Sequence, residues 1–249
     1  MADRIRSGNA LSRAFAVLGQ AFGPLLALAV LLQLPVLAIS LGSLAIGAAG
    51  GLEGPALWTW IGMAAIVALL LGSLATAVVT QAVVSVLRGQ PASFTASFRA
   101  GIAVAGAAIG VAFLSTLAIA GGLLLLVVPG AIMACALFVA APAAVVERLG
   151  PVAALERSWQ LTKGHRWNIF GVTFAIGFMA RVASKAAGAF FQDLQSEEPT
   201  MGVAVAGALV AWGVEVLGQL VLSVAAAVTY HDLRLTKDGW QEDEADAFD

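Results

Sequence analysis

The chain has 249 residues, of which 60% are hydrophobic and 11% charged, with a formal net charge of -2. Soluble domains carry about 25% charged residues, so this composition excludes an ordinary soluble fold and points to a single polytopic membrane domain over residues 1–240. The balance excludes a nucleic-acid partner, and the single cysteine, Cys135, excludes an intramolecular disulfide and a cysteine-based metal site.

The first stretch, Met1 to Gln20, has Leu11, Phe15 and Leu18 on one helical face, with Arg4, Arg6 and Arg13 supplying positive charge. It reads as a short interfacial helix. The first span is predicted over Phe22 to Ile46, with Pro24 tolerated in its first turn and Pro35 expected to kink it. A glycine-rich turn, GAAGGLEGP, leads to a second span over Ala56 to Leu87, whose Trp58 and Trp60 suit an interface belt. After the polar break RGQPASFTASFRAG, a third span is expected over Ile102 to Val128 and a tight turn at Val127 to Ala131. The fourth span, Ala131 to Val146, is short for a bilayer and has Pro142 near its end.

A charged, aromatic stretch then interrupts the apolar chain: AALERSWQLTKGHRWNIFG, Ala153 to Gly171. Pro151 starts a helix and Gly164 stops it, with Lys163 in the last turn. Val152, Leu155, Trp159 and Thr162 share one face, which makes an interfacial elbow; Arg166 and Trp167 then mark the headgroup level. The fifth span is predicted over Trp167 to Phe191 and the sixth over Met201 to Tyr230, joined by QDLQSEEPT. The tail QEDEADAFD, residues 241–249, is acidic and expected to be disordered.

The expected architecture is therefore an all-α membrane protein with six transmembrane helices. The segments LSRAF, FTASF and LERSW each set a large apolar residue four before an aromatic, shortly ahead of a span. They suggest three repeats of an interfacial helix plus two spans. Eleven of the thirteen Lys and Arg residues fall on the side of the chain termini; Arg181 and Lys185 are the exceptions. By the positive-inside rule both termini are cytoplasmic.

Three ionisable residues fall within spans: Arg181, Lys185 and Glu215. Such groups are functional candidates by default. Arg181 lies 14 residues after Trp167 and Glu215 lies 15 before Tyr230, so both sit about 21–23 Å from the same face at 1.5 Å per residue. Three readings follow: an Arg181–Glu215 ion pair that fixes the packing of spans five and six, a hydrated cavity that binds a headgroup or anion, or a proton relay. Gln33, Gln81 and Gln219 read as interhelical hydrogen-bond partners. At the last exit, Tyr230, His231, Asp232 and Arg234 form a cluster that either anchors the helix end or binds a partner or phosphate. No nucleophile–base, metal-ligand or phosphate-loop motif is convincing, so neither an enzyme nor a cofactor is expected.

The segments APAAVVERLGPVAALERSWQLTKGHRWNIFGV and AVTYHDLRLTKDGW together resemble the membrane domain found beside glycerophosphoryl diester phosphodiesterases, and are similar to the YciC-like family of bacterial membrane proteins. Pro142, Glu147, the ALERSWQLTKG elbow and the YHDLR exit carry the resemblance. It implies a six-span protein of the bacterial inner membrane. It does not imply the phosphodiesterase reaction, which in the fused relatives belongs to a separate soluble domain, and it supplies no catalytic or binding residues. The expected function is non-enzymatic support of envelope or lipid organisation, or of membrane-complex assembly. The alternative is transport or lipid translocation through a polar centre between spans five and six. The expected partners are membrane lipids and either another membrane protein or a second copy.

Overall fold

A computed structural model of the chain describes residues 7–90, 94–197 and 200–238. Among them, nine helical segments and no strand occur: α1 Ser7–Ala48, α2 Pro55–Leu87, α3 Phe94–Ala103, α4 Ala105–Leu125, α5 Val127–Ala136, α6 Ala140–Val146, α7 Pro151–Thr162, α8 Arg166–Glu197 and α9 Met201–Lys237. Six stretches are long and apolar enough to cross a membrane: most of α1, then α2, α4, α5 with α6, α8 and α9. Arg4, Arg6 and the acidic tail lie outside the described residues, as does the side chain of Leu11.

Prolines set several of the breaks. A proline donates no hydrogen bond to the carbonyl four residues back and crowds it. Pro24 thus releases Gln20, and the one non-helical residue inside α1 is Ala21 (φ -130°, ψ 28°). At Pro35, where a kink is predicted, the backbone stays helical; the only break in α1 lies upstream. Pro142 likewise releases the carbonyl of Phe138, and the fourth span is interrupted between α5 and α6. That span also starts earlier than expected. Only Leu126 is extended (φ -165°, ψ 155°), so Val127 to Ala131 belongs to α5 rather than to a turn. Pro129 sits within the first turn of α5, where proline is tolerated.

The element order repeats three times. The segment before Ala21, then α3, then α7 each form a short helix ahead of two long apolar stretches. Phe15, Phe98 and Trp159, the aromatics of the three related segments, all lie in these short helices. The first and third units make the main core: Leu25, Leu28, Val78, Val79, Val83, Leu220, Val224 and Val228 are all fully buried between α1, α2 and α9, with Val172 and Ile176 of α8 joining them. The second unit packs beside this core, α4 against α2 and α7, and α5 against α8. Two glutamines join helices as expected. The Gln219 amide donates to the Thr76 hydroxyl (3.2 Å), and the Gln81 amide to the Val145 carbonyl (3.4 Å). Gln33 takes part through its backbone carbonyl, which accepts from the Trp212 indole at 3.1 Å.

Candidate functional site

The densest set of polar contacts lies where α6, α7 and α9 end together, on the side of the short helices. It begins with the break before Pro142. With α5 ended, the Ala140 amide donates to Leu137, so the Ala136 carbonyl gets no partner from its own helix. Two hydroxyls one turn apart on α7 lie against it: Ser158 donates at 2.7 Å, and the Thr162 hydroxyl is 3.2 Å away, shared with the nearer Ser158 carbonyl at 2.9 Å. Both residues are fully buried. The buried face of α7 is therefore Ala154, Ser158, Leu161 and Thr162. Of the predicted outward face, Val152 and Trp159 are outward at 71% and 39% exposure and Leu155 is half-buried, whereas Thr162 belongs to the protein interior. Small polar residues outcompete larger apolar ones here because a free carbonyl in the core must be satisfied. The helix limits themselves agree with the sequence: Gly150 is extended ahead of Pro151, and Gly164 adopts φ +91° after Lys163.

Docked this way, α7 presents Arg157 to Glu147 at the end of α6. The Arg157 Nε donates to both carboxylate oxygens at 3.1 Å each. Tyr230 of α9, almost fully buried, donates its hydroxyl to the same carboxylate at 2.6 Å, and Arg234 donates to the Tyr230 hydroxyl at 3.3 Å. Arg157 also pairs with Asp238 just beyond α9. Burial works against the charged guanidinium, but its hydrogen bonds to Asp238 and Glu147 outweigh this and raise the Arg157 pKa above its ordinary value. One turn away, Lys237 donates to the Gln160 and Lys163 carbonyls at 2.6 and 2.8 Å. A cation from α9 thus closes the carbonyl end of α7. Arg13 of the first short helix pairs with the buried Asp232 of α9, and the His231 Nδ1 lies 3.9 Å from the same carboxylate. Arg166 stacks on Trp159, 4.1 Å from the ring centroid, at the joint between α7 and α8.

The predicted exit cluster is thus turned inward. Tyr230, Asp232 and Arg234 bind other helices of the same chain. The Glu147–Arg157 pair is not among the expectations drawn from the sequence. One acid at the end of an apolar span, ten residues before an arginine across a Gly-Pro turn, is the signal that could have found the pair.

The intramembrane charges are arranged differently. Among the described residues no ion pair joins Arg181 to Glu215, and Arg181, Lys185 and Glu215 are all exposed. The reason is helical phase. α8 meets α9 through Ile176, Ala180 and Ala183, which line an apolar groove of about 310 Å³ with Val214, Leu217 and Gly218. At about 100° per residue, Arg181 and Lys185 fall on the other side of α8. They share that side with Trp167, Phe170, Phe174 and Phe178, a ladder whose successive ring centroids are 6.0, 5.6 and 5.8 Å apart. The expected polar centre between the last two spans is not formed; its place is taken by the apolar groove.

Six apolar helices, three short helices and a polar junction of helix ends define a polytopic all-α membrane protein built from three units. Residues 8–233 match the model of a family described as Domain of unknown function (DUF7847). The chain belongs to that family. No curated protein and no solved structure matches it.

Proposed function

We propose that this is a non-enzymatic multi-pass protein of the bacterial cytoplasmic membrane, with both termini in the cytoplasm, that organises lipid or assembles with other membrane components. One observation carries the reading: the polar groups face in opposite ways at the two ends of the bundle. Around Glu147 they are turned inward and hold helices together. On α8 the cations and the aromatic ladder are turned outward, where a lipid or a neighbouring helix would meet them. The apolar groove beside α9 suits an acyl chain or a helix better than a hydrophilic cargo. The Lys/Arg asymmetry supports the orientation, and the three short helices are read as lying in the cytoplasmic interface, with Leu155, Trp159, Lys163 and Trp167 at headgroup depth. Kinship with the YciC-like and phosphodiesterase-associated membrane domains forms part of the same proposal.

The test is lipid retention. Wild-type protein extracted in polymer nanodiscs should keep anionic phospholipid through size exclusion, and Arg181→Gln with Lys185→Gln should lower the lipid-to-protein ratio by at least a third. An unchanged ratio, or solute flux through proteoliposomes that depends on these residues, would overturn the reading.

A further inference from the structure

The three long hairpins differ in height and in what caps them. α8 and α9 have 32 and 37 residues, or about 48 and 55 Å at 1.5 Å per residue. α2 has 33 residues, or about 50 Å. The turns at their far ends carry water-compatible groups: Glu53 before α2, and Gln192, Asp193 and Gln195 near the end of α8. α4 and its return through α5 and α6 are much shorter, at 21 and 20 residues. Gly110 of α4 lies against Pro151 of α7, and Leu126 is 16 residues further on, about 24 Å away along the helix. With α7 at headgroup depth, as the proposed function has it and on which this inference rests, that falls short of the roughly 30 Å of a hydrocarbon core.

The tip matches this level chemically. From Gly121 to Gly130 the sequence is GGLLLLVVPG, without one polar side chain. Leu124, Leu125, Leu126, Val127 and Val128 are 67–89% exposed. Two backbone bonds close the turn. Leu126 is its only non-helical residue; the Leu126 amide donates to Gly122 at 3.0 Å and the Gly130 amide to Leu126 at 3.3 Å. Pro129 has no amide to satisfy. The reversal is tight because glycines face each other: a Cβ on Gly122 would stand 2.9 Å from the Gly130 Cα.

We infer that the α4–α5 hairpin ends inside the membrane, and that Leu124–Val128 is a lipid-contacting surface seated among the acyl chains of the far leaflet. The other two hairpins reach water on that side. The second unit is thus the one that touches lipid end-on, which neither the family match nor the lipid-organising reading specifies.

Single-cysteine variants on a Cys135→Ala background, in phosphatidylethanolamine–phosphatidylglycerol vesicles with reagent on both faces, test this. An impermeant maleimide should label Glu53→Cys and Gln195→Cys within minutes and Leu126→Cys at less than a tenth of that rate. Bimane attached at Leu126→Cys should be quenched at least twofold by lipids brominated on their acyl chains, and bimane at Glu53→Cys should not. Labelling of Leu126→Cys as fast as Glu53→Cys would overturn the inference. So would protection without lipid quenching, which would mean that a protein covers the tip. Failure of Glu53→Cys and Gln195→Cys to label would remove the height comparison on which the inference stands. Val127→Cys is the substitute should Leu126→Cys lower the yield of folded protein. Loss of Arg181-dependent lipid retention would leave all of these outcomes unaffected.

Discussion

The two ends of this bundle use charge in opposite ways. At the end of the short helices, Glu147, Arg157, Tyr230, Arg234 and Asp238 form one connected set that ties α6, α7 and α9, and Arg13 with Asp232 adds α1. Further along α8 and α9, Arg181, Lys185 and Glu215 are exposed and unpaired among the described residues. Ion pairs between helices need ends that converge and side chains in phase. The prolines and short helices give that convergence at one end, whereas the α8–α9 seam runs on small apolar residues and turns its charges outward. Charge therefore specifies the fold at one end and marks its surface at the other.

Breaking the inward set should have the largest effect. Glu147→Gln leaves Arg157 and Arg234 without their shared carboxylate in a half-buried setting, and should cost about 3 kcal/mol. Urea unfolding in detergent measures it. Combined with Arg157→Gln, the loss should be smaller than the sum of the single losses by about 1 kcal/mol or more. Strict additivity would show that the carboxylate and guanidinium do not act as a unit.

The uncharged part of the same end should come next. Ser158→Ala with Thr162→Val strands the Ala136 carbonyl in the core and should cost about 2–3 kcal/mol. Ser158→Thr keeps a hydroxyl and should recover part of that loss. Equal losses for both designs would point to packing rather than to the carbonyl.

At the outward charges the effects should be small and independent. Arg181→Gln and Glu215→Gln should each change stability by less than about 1 kcal/mol, and the double variant should equal the sum within about 0.5 kcal/mol. Coupling as large as that of Glu147 with Arg157 would mean that the two charges meet in the membrane after all.

The difference between the ends also explains what was legible in the sequence. Six apolar stretches, the Gly-Pro start of α7 and its stop at Gly164 follow from hydropathy and backbone chemistry, which are local. The threefold order was visible from three short segments. The pairing of Arg181 with Glu215 rests on opposite sign, matched depth and consecutive spans, none of which fixes azimuth: one residue of helical phase, Ala180 against Arg181, decides which one faces α9. The Glu147 set was missed for the opposite reason. Its members lie on three segments up to 91 residues apart, and they converge only after Pro142 has ended α5 and the Ala136 carbonyl has drawn in α7.

The smallest effect concerns pH at the rim of the inward set. His165 lies in the joint between α7 and α8, half-buried, and its pKa is held below the ordinary 6.5 by burial and then by the Lys237 ammonium, with a backbone bond at Lys163 opposing them. The folded protein therefore favours neutral His165, while the unfolded chain takes up a proton as pH falls through about 6.5. Between that value and the lower folded pKa the unfolded state binds more protons, so stability declines with falling pH; below the folded pKa this contribution is fully lost. His165→Asn removes the contribution and leaves His231 in place. The urea midpoint of the variant should fall less than that of the wild type between pH 7.5 and pH 5. Parallel midpoints across that window would show that the joint does not distinguish the two forms of His165, and that the charges around Lys237 stop acting short of the start of α8.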